Sequence, residues 1–259
     1  MGTETLIKKI SQKQIWDTEP VFCFTSDIDW ASEIVMDKYF QIINPFKLKP
    51  TLFLTHESTI TDCYSHHIDK GLHPNFLNES SHGNNFKDVI NHIRKIDKNT
   101  KAVRSHRAFE VTDTSHLLYE NDFRYSSNCI TVLQPEIKPV LHESKLINFP
   151  VFFEDGTHLY NELNLDFTKY IDSFKTPGIK IISFHPMHLV LNSPSLQYMR
   201  DIKNFFTREQ YNNISIENIT NIENRGIGIR NTILDIIDFV YNNNYKIMSL
   251  NQLYNQTIQ

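Results

Sequence analysis

The run Val21-Phe22-Cys23-Phe24-Thr25 and the segment 31–43 that follows it decide the fold. The run is almost continuously apolar, which is typical of a strand covered on both faces. Apolar residues in 31–43 recur near helical spacing, which predicts a helix there. Because a strand followed by a crossover helix returns to a parallel strand, the two segments form one unit of a parallel α/β sheet.

The same alternation of strand-like runs and helical patterns continues to the end of the chain. Further strands are predicted at 51–55, 71–74, 101–104, 126–133, 151–154, 179–184 and 245–248. Further helices are predicted at 86–96, 115–120, 166–174, 195–208 and 229–242, before a terminal helical turn. About seven such units favour a (β/α) barrel, closed or incomplete. No linker or repeat divides the chain, so we expect one domain.

Composition excludes several classes of function. A formal net charge of -4 and a pI near 6.3 provide no basic face for nucleic acid or an anionic membrane. The three cysteines are far apart, so neither a disulfide framework nor a cysteine zinc site is expected. The seven glycines form no nucleotide-cradling pattern. Because the sequence has no long uncharged apolar run and no apolar leader, we expect a cytoplasmic protein without stable membrane insertion.

Several titratable residues directly follow the predicted strands. In parallel barrels, catalytic residues collect at the carboxyl ends of the strands. The residues in such positions are Asp27, Asp29, His56, Glu57, His73, Arg104, His106, His185 and His188. They predict a site of carboxylates, imidazoles and one guanidinium at one end of the barrel.

Asp27 and Asp29 are two residues apart, so an extended backbone would point both carboxylates to the same side. Two like charges this close repel each other unless a cation lies between them. A divalent metal would bind one carboxylate and leave the other as a base. The alternative is that Asp29 caps the helix that follows, with Glu33 in its first turn.

Four more residues have a chemical interpretation, and for His73, His82 and Arg104 the alternative is a purely structural role. His73 precedes a proline and is biased toward an extended strand end, where an imidazole is a good metal ligand. His82 is within reach of the same loop, or is simply an exposed loop histidine. Arg104 ends an apolar run and needs a carboxylate such as Asp27, unless it forms a rim salt bridge. His185 follows a mostly apolar run and is placed to act as a general acid.

Four motifs, at 24–31, 72–76, 104–107 and 183–186, resemble in this order the polysaccharide deacetylase superfamily. They read Phe-Thr-Ser-Asp-Ile-Asp-Trp-Ala, Leu-His-Pro-Asn-Phe, Arg-Ser-His-Arg and Ser-Phe-His-Pro. The resemblance is to the NodB-homology fold of carbohydrate esterase family 4, in particular its divergent branch linked to lipopolysaccharide and capsule biosynthesis. It runs from about residue 20 to residue 250. It implies that residues 1–259 form a single catalytic domain on a distorted (β/α) barrel of about seven strands.

The resemblance also implies a divalent metal, most often Zn²⁺, held by one Asp and two His. Carried over to this sequence, it makes Asp29 and His73 metal ligands and Asp27 the general base. Arg104 would orient this base, and His185 would be the general acid.

The sequence departs from the family pattern in two places. One residue, Ile28, separates the two aspartates, so the base and ligand roles of these two residues stay open to exchange. The second histidine of the family's second motif is absent, because position 77 is Leu. His82 is the first choice for the third ligand, and His106 is the second.

The expected activity is metal-assisted hydrolysis of a C–N amide bond, removing an acetyl group from an N-acetylated sugar during surface-polysaccharide assembly. The expected partner is this saccharide, linked to a nucleotide or to a lipid. One alternative is a catalytically degenerate protein that binds carbohydrate or acts as a scaffold on the same barrel. Another is a metal hydrolase that cleaves a non-sugar amide. Rings such as Trp30, Phe76 and Tyr125 near the site would favour a sugar substrate, because they could stack on it.

Overall fold

The computed structural model describes residues 1–259 and contains one sheet of ten strands together with thirteen α-helices. The strands are β1 (Pro20–Asp27), β2 (Thr51–Leu54), β3 (Asp69–Leu72), β4 (Ala102–Val103), β5 (Tyr125–Ser126), β6 (Val140–Leu141), β7 (Ile147–Asn148), β8 (Val151–Glu154), β9 (Gly178–Ser183) and β10 (Lys246–Ile247). The helices are α1 (Thr3–Ile10), α2 (Glu33–Ile43), α3 (Thr59–Cys63), α4 (Phe86–Ile96), α5 (Thr112–Glu120), α6 (Asp155–Tyr160), α7 (Ile171–Lys175), α8 (Pro186–Leu191), α9 (Leu196–Phe205), α10 (Arg208–Asn212), α11 (Ile216–Ile222), α12 (Ile229–Asn242) and α13 (Leu250–Ile258).

The strands follow the order β6-β7-β5-β4-β3-β2-β1-β9-β8, with β10 beside the start of β1. Only β6 and β7 pair antiparallel. The segment 147–154 pairs with β5 through β7 and with β9 through β8. Between them, the N–H of Phe149 donates to the carbonyl of Ser126 at 2.8 Å, and that of Val151 to Cys129 at 2.7 Å. One stretch therefore joins both ends of the strand series, which confirms the distorted (β/α) barrel.

Both faces of β1 are buried, as its apolar run predicts, because the barrel has two apolar layers. Val21 and Cys23 point to the inside, where they meet residues of the other strands. Phe22 and Phe24 point outward into the larger core between the sheet and the helices. The inward row of β1 then becomes polar and ends at Asp27, so the carboxyl end of the barrel is chemically different from its interior.

Several predicted boundaries agree with the structure, and others differ for local reasons. The helices at 86–96 and 229–242 and the strand at 151–154 have the predicted bounds. The helix predicted at 195–208 ends at Phe205, and a second helix begins after Thr207, whose hydroxyl accepts from the N–H of Gln210. The strand predicted at 126–133 is reduced to β5, and the sequence analysis missed α1, α11 and the pair β6–β7. None of the helices combines the length and apolarity needed to cross a membrane.

Candidate active site

The carboxyl ends of the barrel strands open into a cleft of about 430 Å³. This is within the range usual for small-molecule sites. Seven of the predicted site residues line it: Asp27, Asp29, His73, Arg104, His106, His185 and His188. The other predicted ligand, His82, does not border the cleft.

Asp27 and Arg104 form a buried ion pair on the floor of the cleft. One terminal nitrogen of Arg104 lies 3.0 Å from Asp27 Oδ1. The same nitrogen donates to the hydroxyls of Thr25 and Ser183 at 3.0 and 2.8 Å. The rest of the guanidinium donates to the carbonyl and hydroxyl of Ser127 at 2.9 and 2.8 Å. Every nitrogen of this cation therefore has a partner, which is the condition for burying a charge.

Below the guanidinium, the ring of Phe53 provides a second contact. Arg104 Cζ lies 4.4 Å from the centre of this ring, which is cation–π geometry. The ring fits inside the barrel because the neighbouring strand has Gly71 beside it. A Cβ at position 71 would lie 2.5 Å from Phe53 Cδ1. The glycine thus makes room for the ring that supports the site arginine.

Asp29, His73 and His106 bring three possible metal-ligand atoms together. Asp29 Oδ1 lies 3.2 Å from His73 Nε2 and 3.1 Å from His106 Nδ1, and the two nitrogens are 3.3 Å apart. Burial raises the pKa of Asp29, but hydrogen bonds from His106 and His73 outweigh it and hold this pKa well below its ordinary value. The carboxylate is therefore ionised and ready to bind a cation.

The spacing of these three atoms fits a zinc ion. Ligand atoms about 2.0–2.1 Å from a tetrahedral Zn²⁺ lie roughly 3.3 Å from one another, close to the three distances found here. One carboxylate and two imidazoles are also a common donor set for catalytic zinc, with a position left open for water or substrate. The residues present therefore fit the metal that the sequence analysis expects.

His82 lies outside this group of ligand atoms, and His106 takes the position beside Asp29 and His73. The Nδ1 atom of His82 accepts the backbone N–H of Asn75 at 3.1 Å, and its ring stacks on that of His92. The geometry thus favours the second choice of the sequence analysis over the first. His106 follows β4, whereas the family pattern had directed attention to the loop after His73.

The two aspartates reach the same cleft by different backbone conformations. The strand ends at Asp27, and Ile28 turns its side chain into the core. Asp29 and Trp30 then adopt left-handed conformations, with φ of 43° and 57°. Such values are uncommon outside glycine and are concentrated at functional sites. The helix-cap interpretation of Asp29 is wrong, because Ser32 caps α2 by accepting the N–H of Val35.

His185 lies beyond Asp29 and is held by Asp155. His185 Nδ1 is 2.7 Å from one oxygen of Asp155, and its backbone N–H donates to the other oxygen at 2.7 Å. This arrangement leaves Nε2 facing the cleft, 3.8 Å from Asp29 Oδ2. Burial lowers the pKa of His185, but the charge and hydrogen bond of Asp155 more than compensate and raise it well above its ordinary value. These contacts favour the protonated imidazole.

Neither carboxylate on this side of the cleft, Asp155 or Glu154, is among the residues predicted from the sequence. Asp155 has no exposed surface, and Glu154 lies with Oε1 3.5 Å from His185 Nδ1. Burial and the charge of Asp155 raise the pKa of Glu154. The sequence held a signal for Asp155, because this residue directly follows the strand predicted at 151–154, just as Asp27 comes shortly after the predicted strand at 21–25.

Of the three rings considered for sugar stacking, only Trp30 lines the cleft. Phe76 packs against Phe86 in the outer core, and Tyr125 stacks on Tyr254 inside the barrel. The structure instead adds Tyr211, which the sequence analysis did not consider, to the cleft lining.

Comparison with protein families shows the class to which the chain belongs. The model of the WbmS-like polysaccharide deacetylases matches residues 24–203, a range that includes all four motifs. The chain therefore belongs to this family. Comparison with curated proteins gives no significant match.

Solved structures with the same fold include a candidate polysaccharide deacetylase involved in O-antigen biosynthesis from Bordetella bronchiseptica. It is 23% identical, with 85% of this chain and 90% of that chain covered and a TM-score of 0.73. A carbohydrate esterase of family 4 from Streptococcus mutans is 11% identical, with 96% and 91% covered and a TM-score of 0.48. A family 4 pseudoenzyme from Bacillus anthracis is also 11% identical, with 90% and 64% covered and a TM-score of 0.42. At 23% identity and a TM-score of 0.73, the likeness to the Bordetella bronchiseptica structure concerns the fold alone.

Proposed function

We propose that this protein is a metal-dependent deacetylase that hydrolyses the acetamide of an N-acetylated sugar during assembly of a surface polysaccharide. One observation carries the proposal. A candidate metal triad, a buried carboxylate–arginine pair and a protonated histidine all face the same cleft. These are the three functions that amide hydrolysis needs: activation of the carbonyl, a base for water and an acid for the amine.

Asp29, His73 and His106 would hold the divalent ion, with zinc as the first choice. Such an ion, when bound, polarises a carbonyl oxygen and lowers the pKa of an attacking water. Asp29 is free for this role because its carboxylate has no arginine or lysine partner within 4.0 Å.

Asp27 would act as the general base. Arg104 holds Asp27 Oδ1, so the carboxylate keeps a fixed direction and its negative charge is stabilised. The water proton would pass to Asp27 as the water attacks the acetyl carbon. The reverse assignment of the two aspartates is less suitable, because Asp29 rather than Asp27 contacts both candidate histidine ligands within 3.2 Å.

His185 would donate a proton to the leaving nitrogen. Without this proton the sugar nitrogen would have to leave as a strongly basic anion, so it must be protonated as the C–N bond breaks. Asp155 keeps Nδ1 directed inward, which leaves the Nε2 proton available to the cleft. Acetate and a free amino sugar would be the products.

The biological setting is proposed from the family and from its relative in Bordetella bronchiseptica, which is described as involved in O-antigen biosynthesis. An O-antigen is a surface polysaccharide, so the substrate would be a sugar unit of such a polymer or its activated precursor.

Metal content and acetate release together test the proposal. The purified chain, after incubation with zinc, cobalt or nickel, should bind about one ion and release acetate from N-acetylated sugars. His73→Ala and His106→Ala should lose the ion, since each removes one of three ligands. His82→Ala is the matched control and should keep it.

Two results would contradict the proposal. Failure to take up any of the three metals would favour the carbohydrate-binding alternative. Loss of the ion in His82→Ala but not in His106→Ala would overturn the ligand set.

A further inference from the structure

Two cations of this cleft, Arg107 and Lys203, are not used by the proposed mechanism. Both line the cleft and both are exposed. Neither has a carboxylate oxygen within 4.0 Å, whereas most charged groups on the cleft floor are engaged with one another. We infer that they bind an anionic group of the substrate, so that the sugar carries a carboxylate or a phosphate near its acetamide. This inference rests on the proposed function.

Arg107 is held next to a candidate metal ligand by an unusual backbone. Arg107 and Ala108 both adopt left-handed conformations, with φ of 56° and 51°. Two successive non-glycine residues of this kind are energetically unfavourable and are typical of functional sites. The turn is fixed by hydrogen bonds from Ala108 N–H to Ser105 and from Phe109 N–H to His106. The backbone that carries the Arg107 guanidinium is therefore constrained, and it lies beside the proposed reaction centre.

Lys203 lies on the same side of the cleft as Asp155, because its helix α9 packs against α6, which begins at Asp155. It lies on α9, whose buried residues Met199 and Ile202 anchor the helix in the core. Its Nζ atom is 5.6 Å from the centre of the Tyr211 ring, which also lines the cleft. Lys203 thus lines the cleft next to Tyr211, where its ammonium group can reach a bound substrate.

The two residues come from separate parts of the chain, the loop after β4 and helix α9. The whole protein has a formal charge of -4, so two cations without a carboxylate partner in its main cleft are opposite in sign to the overall charge. A bound divalent ion would add further positive potential. Such a cleft attracts an anionic ligand and disfavours a cationic one. A uronic acid and a phosphate-linked sugar share this chemistry.

Three N-acetylated substrates separate these possibilities in the zinc-loaded protein. They are a neutral chitin disaccharide, N-acetylglucosaminuronic acid and a nucleotide-diphosphate-linked N-acetylglucosamine. Arg107→Gln and Lys203→Gln should each raise KM for at least one charged substrate by about tenfold, the effect of losing one charged hydrogen bond, with little change in kcat. KM for the neutral sugar should stay the same. The substrate that responds identifies the anion as carboxylate or phosphate.

Lys87→Gln, which removes an exposed charge from α4 outside the cleft, is the matched control. Because all three variants keep Asp29, His73 and His106, an anion bound to the metal alone would be unaffected. If no substrate releases acetate, the proposed function fails, and the same comparison is made by calorimetric binding. The inference is overturned if charged and neutral sugars behave alike in either assay, or if the cleft variants match Lys87→Gln.

Discussion

Arg104 and Lys180 are both buried cations that lie over an aromatic ring, but they are held in different ways. Arg104 is inside the barrel end, where it meets a carboxylate, three hydroxyls and a carbonyl. Lys180 is on β9, with its Nζ atom 4.2 Å from the centre of the Phe152 ring and one hydrogen bond, to the Thr176 hydroxyl. Both are less than 4% exposed.

The difference in partners has a consequence for charge. Burial lowers the pKa of Lys180 to about 8, with only weak compensation from Glu136, so this cation can discharge near neutral pH. Arginine does not discharge in proteins, and Arg104 has a partner for each of its nitrogens. The charge of Arg104 is therefore permanent and fully hydrogen-bonded beside a cleft carboxylate, whereas Lys180 in the outer core has a single hydrogen bond.

The largest expected effect is a loss of turnover when Asp27, the carboxylate that Arg104 holds, is replaced. Asp27→Asn keeps the shape and an oxygen acceptor for the arginine but removes the base. We expect turnover to fall by about 10²–10⁴-fold, the usual contribution of a general base, while metal content stays unchanged. Asp172→Asn, at an exposed position on α7, is the control. Full activity of Asp27→Asn would exclude Asp27 as the base.

The next effect concerns stability. Arg104→Gln leaves Asp27 as an uncompensated buried charge, and breaking a buried ion pair in this way costs about 3–5 kcal/mol. Arg104→Lys keeps a charge but cannot make the forked contacts, so an intermediate loss is expected. Urea unfolding measures both. Equal stability of Arg104→Gln and the wild type would mean that the pair adds nothing to the fold.

His185 provides a third cation, which is partly exposed and paired with a carboxylate like Arg104 but is able to give up its proton. His185→Gln should lower sugar deacetylation about 10²-fold. Its hydrolysis of 4-nitrophenyl acetate, whose leaving group needs no proton, should be reduced much less. Asp27→Asn should impair both reactions. If His185→Gln impairs them equally, His185 is not the acid.

The smallest effect is a pH dependence of stability at Lys180. The folded pKa of about 8 lies below the ordinary value of 10.5, so the unfolded chain binds more protons between these values. Stability from this residue therefore rises as pH increases from about 8 to 10.5, by about 1–3 kcal/mol.

Comparison of unfolding midpoints for the wild type and Lys180→Met across this range isolates the contribution of Lys180. Lys180→Met should be the more stable protein at pH 7 and should lose this advantage toward pH 10.5. The exposed Lys175→Met variant should follow the wild type throughout. A constant difference between wild type and Lys180→Met would contradict the lowered pKa.

Much of the fold could be predicted because its signals are local. Continuous apolar runs define β1, β8 and β9, and helical spacing defines α4 and α12, since each must present apolar side chains to a core. The pair β6–β7 and the helix α11 could not be predicted in this way. The two strands are two residues long, and α11 has a single buried residue, Ile219.

The sequence by itself determined the alternation of strands and helices, and thereby the chemical groups gathered at the carboxyl ends of the strands. It placed Asp27, Arg104 and His185 at the ends of strands that a barrel must bring together. Only the tertiary structure decided that His106, and not His82, meets Asp29 and His73. The reason is that His106 follows β4, a strand parallel to β3 in the same sheet, while His82 lies in a loop that directs its Nδ1 to the backbone of Asn75. Contacts between such separate segments depend on the curl of the sheet, which no short stretch of sequence encodes.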